Sequence, residues 1–311
     1  MAVQSSTQLI VQFGLFYLLI MIGYLVARFS GKGATLNGYL TSLLVKLLVP
    51  VLTIYSILTV PPQALSELSE ILILTILVHF MGPSILYLRL RRHKTDNATK
   101  GAFYTCVTFN NALFIPLPLV MMFFGQDGVP YVILFSVVQL FLFASLGSVI
   151  GSMFSEKGIS GSEIAKRTLV FPPLFAAILA TVLRLSGLTL PTTFASALSY
   201  TGPSTTYLSL ITVGLGVGTG TSLIRDVRST LEVVAVRQII VPLLTLPIVV
   251  FSSLSALASQ VLLIEAMMPP AVLSVVYAGW FKFNIEKAAT IVTLGTLLLL
   301  LELPIVLLLI R

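Results

Sequence analysis

One cysteine, one tryptophan, two histidines and three aspartates are all that the 311 residues hold of those types. The lone Cys106 excludes an internal disulfide and leaves the redox compartment open. His79 and His93 lack metal-ligand spacing, so no metal is expected. No Gly-Lys-Ser/Thr phosphate loop occurs, which leaves ATP drive without support and implies no nucleotide cofactor. The three aspartates, Asp96, Asp127 and Asp226, fall between apolar runs. That argues against a sodium/proton antiporter built on buried aspartates. Charge is scarce altogether: 9% of residues, against roughly 25% in soluble domains.

What is abundant is apolar. Hydrophobic residues make up 57% of the chain and mean hydropathy is +1.05. A soluble fold needs a polar skin that this composition cannot supply; a bilayer removes the need. Runs of about 20 apolar residues, the length that crosses a membrane as a helix, occur at 8–28, 37–58, 69–90, 100–124, 129–152, 168–186, 192–220, 229–250, 257–281 and 286–309. The fold expected is an all-α polytopic membrane protein of ten transmembrane helices. Met1–Thr7 carries no positive n-region, so the first run reads as a retained helix rather than a leader. The net charge of +7 sits in short loops, which removes nucleic acid as a partner and points to lipid and topology. With the N-terminus outside, the inside loops collect 14 of the 18 Lys and Arg residues. The positive-inside rule then places both termini outside a cell membrane.

Two spans are not plain apolar runs. Span four carries Asn110, Asn111, Pro116 and Pro118, and span nine carries Glu265, Pro269 and Pro270. Proline lacks an amide donor and clashes with the preceding turn, so paired prolines break a helix. Unsatisfied backbone groups in hydrocarbon each cost several kcal/mol, so a break persists only where protein or a wet cavity satisfies them. The breaks lie about 152 residues apart, close to half the chain. Residues 1–152 and 168–311 then read as two five-helix repeats joined by a cytosolic linker, 153–167. Five is odd, so the second repeat is inverted, and the broken helices 4 and 9 meet near the midplane. Interrupted segments at corresponding positions of two halves point to a carrier's binding site. The second half-helices would offer free amides to an anion, and the first half-helices free carbonyls to a cation.

These residues carry a family resemblance. Phe114-Ile-Pro-Leu-Pro-Leu119 followed by Phe124-Gly125, with Asn111 ahead of it, resembles the fourth-helix signature of the auxin efflux carrier family of membrane transport proteins. Met268-Pro-Pro-Ala-Val272 with Ala278 is similar to its ninth-helix motif, Leu47-Leu-Val-Pro50 to its second-helix proline, and Phe171-Pro-Pro173 to the start of its sixth helix. The resemblance spans nearly the whole chain. It implies inverted repeats with crossing helices 4 and 9, scaffold helices 1, 2, 6 and 7, and a moving core of helices 3–5 and 8–10. It also implies homodimers and transport of organic anions such as auxin or dicarboxylates. Leu273 stands where the family often has asparagine, and Pro270 replaces Thr or Ser. The short Ser155–Arg167 loop lacks the long insert of many plant members and suits a prokaryotic protein.

Polar side chains inside spans are the remaining candidates. Asn110, Asn111, Pro116, Pro118, Pro269 and Pro270 form the expected substrate site. Lys46 either neutralises the anion there, snorkels to the interface or pairs structurally. Gln139 either lines the cavity or packs. Glu265 and His79 are candidates for coupling to a proton or sodium ion, although His79 also reads as a structural histidine. Arg237 lies at a depth where it pairs with Glu265. Gly214, Gly216, Gly218 and Gly220 read as a close-packing surface. The function expected is secondary transport of a small organic anion, with a sodium-coupled symporter of the bile-acid type as the alternative. A membrane enzyme or sensor would need a catalytic constellation or a soluble domain, and neither is seen.

Overall fold

The computed structural model describes residues 6–60, 66–91, 95–155, 170–188, 190–219 and 227–309. Most of the linker 153–167 lies outside these residues, as do the loop cations Arg92, Lys94, Lys157, Lys166, Arg167 and Arg225, and Gly220.

Among the described residues every regular element is a helix, apart from one isolated β-bridge. In chain order they are α1 (Ser6–Phe29), α2 (Gly33–Thr59), α3 (Leu68–Leu90), α4 (Asn97–Thr108), α5 (Pro116–Phe124), α6 (Val129–Phe154), α7 (Pro172–Leu185), α8 (Thr192–Ser199), α9 (Thr201–Thr219), α10 (Val227–Val250), α11 (Ala256–Met267), α12 (Leu273–Phe281) and α13 (Ile285–Leu309). Four stretches are long and apolar enough to cross a bilayer unaided: α2, α3, α10 and Pro116–Phe154. Shorter apolar helices, among them α7 and α11, accompany them. Phe29, Leu185 and Phe251 are each more than three-quarters exposed, which lipid tolerates and water penalises. The chain is a polytopic membrane protein.

Proline placement explains the irregular turns. In α2 the turn Leu44–Leu48 is π-wide and Pro50 follows; in α10 the turn Val236–Ile240 is π-wide and Pro242 follows. Proline clashes with the carbonyl four residues back, and a widened turn relieves the clash without ending the helix. Span seven, read as one run, divides at Tyr200 into α8 and α9. At the loop end of α4, Asp96 caps the helix by accepting the Thr99 N–H at 2.8 Å. That hydrogen bond holds its carboxyl below the usual carboxylate pKa range.

Two packing groups result. α1 runs along α9, α9 packs on the first part of α2, and α7 on its last part. In the other group α3 packs on α4, α6 and α10, α11 on α6 and α10, and α12 on α4 and α13. The α1–α9 contact is glycine-made: a Cβ at Gly23 would collide with the Ile211 carbonyl, and one at Gly214 with the Ile20 carbonyl. One at Gly218 would lie 2.7 Å from Ala27 Cβ. Gly216 differs, since its nearest neighbour is Asn37 Nδ2 at 3.9 Å. The glycine stripe is thus a packing surface at two positions and open at a third.

Candidate functional site

The first break spans Phe109 to Ile115, between α4 and α5. The second spans Met268 to Val272, between α11 and α12. The first half-helix ends just before Asn110 and the second opens at Pro116, where the polar pair and the prolines of the sequence place them. Proline is disfavoured inside a helix and favoured at its first position, so Pro116 opens α5 instead of interrupting it.

The two breaks cross as extended chain. Asn110 and Pro270 form an antiparallel bridge. Asn111 N–H donates to the Pro269 carbonyl at 2.7 Å, and Ala271 N–H donates to the Phe109 carbonyl at 2.9 Å. Each break thereby satisfies the other's backbone, which is what unwound chain among apolar helices requires.

Side chains complete the crossing. Asn110 is fully buried; its Nδ2 donates to the Glu265 carbonyl at 3.0 Å and to Glu265 Oε2 at 3.2 Å. Gln139, from α6, pairs with the Asn110 backbone through both ends of its carboxamide. Its Nε2 donates to the Asn110 carbonyl at 2.8 Å, and its Oε1 accepts the Asn110 N–H at 3.3 Å. His79, from α3, reaches the same Gln139 Oε1 with Nε2 at 2.7 Å and the Thr75 carbonyl with Nδ1 at 2.7 Å. Asn111 turns the other way, and its Oδ1 accepts the Phe114 N–H at 3.0 Å, capping the lead-in to α5.

Arg237 is fully buried and donates to the Ala266 carbonyl at 3.3 Å. It forms no ion pair with Glu265 within 4 Å; the two interact through space instead. Asn110 Oδ1, Glu265 Oε1 and Arg237 Nε and Nη1 are buried without a hydrogen-bond partner among the described residues.

The crossing therefore gathers Asn110, Asn111, Pro269, Pro270, Gln139, Glu265 and His79. It does not gather the other three expected site residues. Lys46 is exposed on the exterior of α2, because the turn that carries it points Val45 and Val49 inward to the cavity. Pro116 is buried, and Pro118 lines a separate cavity with Phe16 and Tyr207. The expectation of free amides at α5 fails for a plain reason. Pro116 and Pro118 have none, and the Leu117 and Leu119 amides donate to the Leu113 and Ile115 carbonyls. The expected free carbonyls are likewise occupied at Glu265 and Ala266 by Asn110 and Arg237.

A cavity of about 150 Å³ opens on the crossing, lined by Asn110, Asn111, Gln139 and Leu273 and by Thr41, Thr53 and Ser136. Thr41, Asn111, Phe114 and Val272 line both it and a second, more polar cavity of about 230 Å³. That one is lined by Asn37, Thr41, Thr212, Gly216, Thr293 and Thr296. Sequence reasoning missed these hydroxyls. Their signal was the spacing of Asn37 with Thr41 and of Thr293 with Thr296, which puts each pair on one helix face. Among the described residues no group of three His, Cys, Asp or Glu side chains is placed to hold a metal.

A polytopic helical protein whose two interrupted helices pair beside a cavity has the architecture of a membrane transporter. The chain belongs to the membrane transport protein family, the auxin efflux carrier family, which it matches over residues 10–307. It is 26% identical over 287 residues to an uncharacterized transporter of Methanothermobacter thermautotrophicus, covering 92% of this chain and 93% of that protein. It is 26% identical over 240 residues to uncharacterized transporter MJ1031 of Methanocaldococcus jannaschii, covering 74% of this chain and 76% of that protein.

Proposed function

We propose that this transporter is a secondary carrier that moves a small organic anion, an auxin-like carboxylate or a dicarboxylate, by alternating access. The observation that carries the reading is the antiparallel pairing of Asn110 with Pro270 beside a cavity. Two breaks half a chain apart that satisfy each other's backbone support two inverted five-helix repeats, and hence ten spans. The substrate sits in the cavity against Asn111, Gln139 and the paired segments. α1, α2, α7, α8 and α9 form the static group, with which a homodimer would assemble, and the remaining helices move against it. Lys46 takes no part, since it lies on the exterior.

The test is uptake by purified protein in proteoliposomes, with labelled indole-3-acetate, succinate, malate and benzoate as probes. Each is assayed in sodium and in choline buffer. Saturable uptake of at least one acid in both buffers is expected. Uptake that requires sodium would select the bile-acid type of symport instead, and no uptake of any acid above protein-free vesicles would reject the reading.

A further inference from the structure

The protonation state of His79 follows from the hydrogen bonds around it. The Thr75 carbonyl can only accept, so the 2.7 Å contact to Nδ1 requires a proton on Nδ1. The partner of Nε2 is Gln139 Oε1, also at 2.7 Å. A carboxamide is ordinarily free to be turned end for end, which would present a donor to Nε2. Here the Asn110 backbone forbids the turn. Reversing Gln139 would set its oxygen against the Asn110 carbonyl at 2.8 Å and its nitrogen against the Asn110 N–H at 3.3 Å. That exchanges two good hydrogen bonds for two repulsive contacts. Gln139 Oε1 therefore faces His79, and Nε2 must carry a proton as well. Either neutral tautomer leaves a lone pair aimed at an oxygen.

We propose that His79 is a proton-binding site whose imidazolium, held through Gln139 against the helix crossing, supplies the positive charge for an anionic substrate in the adjoining cavity. The identity of the anion rests on the proposed function; the proton site does not.

The surroundings leave this charge without a partner of its own. Among the described residues, Arg237 from α10 and Glu265 from α11 are the charged groups nearest the crossing; Arg237 acts on His79 as a like charge, and Glu265 turns an oxygen to Asn110 Nδ2 instead. The first break and α6 present the Phe109 and Phe135 rings to His79. The remaining titratable groups on the elements packed around α3 look elsewhere. Cys106 faces the Ala288 carbonyl, Tyr104 stacks on Phe154, and Tyr131 joins the Glu67–Ser255 corner. On α3 itself, Glu70 bonds Ser253 and Arg89 bonds Glu232. A desolvated imidazolium calls for a counter-charge, and the cavity wall that Gln139 shares is where an anion would provide it. Proton and anion then favour each other's binding by the same factor. The carrier would move them together.

The test uses the two-histidine composition. Protein with His93→Asn, labelled with ¹⁵N-histidine and held in lipid nanodiscs, gives one imidazole to observe by NMR. At pH 6 both ring nitrogens are expected to be protonated. In Gln139→Leu, which removes the acceptor, one nitrogen is expected to lose its proton. A wild-type Gln139 spectrum showing a neutral ring at pH 6, with and without succinate, would overturn the proposal, and it needs no variant at position 139 to do so. If His79 is an imidazolium but no acid is transported, the proton site stands and the anion reading falls. Transport with a neutral ring gives the converse.

Discussion

Two places in this chain bring backbones unusually close, and they do so by opposite means. Along α1 and α9, Gly23, Gly214 and Gly218 remove side chains so that one helix rests on the carbonyls of the other. Every helical hydrogen bond is kept, and no polar side chain takes part at those positions. At the crossing, helix is given up. Phe109, Asn111, Pro269 and Ala271 trade backbone hydrogen bonds across the two breaks, and Gln139, His79 and Glu265 support them. The first contact has one arrangement, because steric fit in a membrane interface is all it uses. The second is a network with buried polar atoms still without partners, and such networks are sensitive to the loss of any member. The contrast is physical: close packing fixes α1 against α9, and paired breaks hold α4 and α5 against α11 and α12 beside a cavity.

The comparison breaks most severely at the glycines. Gly214→Leu drives a side chain into the Ile20 carbonyl, and overpacking of this kind costs about 3 kcal/mol. Loss of monodisperse protein in size-exclusion chromatography, or a large fall in the unfolding midpoint, is the expected readout. Next comes Asn110→Ala, which leaves the Glu265 carbonyl and carboxylate without their shared donor. About 2 kcal/mol of stability is expected to go, seen as an earlier thermal transition, and uptake with it.

The third effect is one of pH. If the imidazolium is the form that binds the anion, uptake is greatest on the acid side and falls as pH rises through the titration of His79. His79→Gln should flatten that profile, measured as initial uptake rates. The smallest effect is expected at Gly216→Ala, where no atom approaches closer than 3.9 Å. Stability should change by less than about 1 kcal/mol, which a thermal-shift assay resolves from the Gly214 variant.

Much of this was legible in the sequence, for reasons that differ by residue. Apolar content gives the membrane, and paired prolines give the breaks. Asn110 and Glu265 were visible because polar groups inside a span are costly and therefore conspicuous. Their union was not visible, since it needs the two halves folded together. Pro116 marked the start of the second half-helix, because proline is favoured at a helix's first turn. Lys46 was drawn to the site by depth alone; depth ignores which face of the helix a residue occupies, and Val45 and Val49 hold the inward face. Gln139 was ambiguous between lining and packing, and it does both. Thr41 and Ser136 escaped notice because a hydroxyl inside a helix is satisfied within one turn, Thr41 by Asn37 Oδ1 and Ser136 by the Ile133 carbonyl, and so carries little signal.

The central claim is that substrate binds where the two breaks cross. Asn111 tests it most directly, because its backbone pairs with Pro269 while its side chain borders both cavities. Initial uptake of whichever organic acid the proteoliposome panel identifies should fall at least tenfold in Asn111→Ala, with the protein still monodisperse. Uptake unchanged from wild type in that variant would contradict the account.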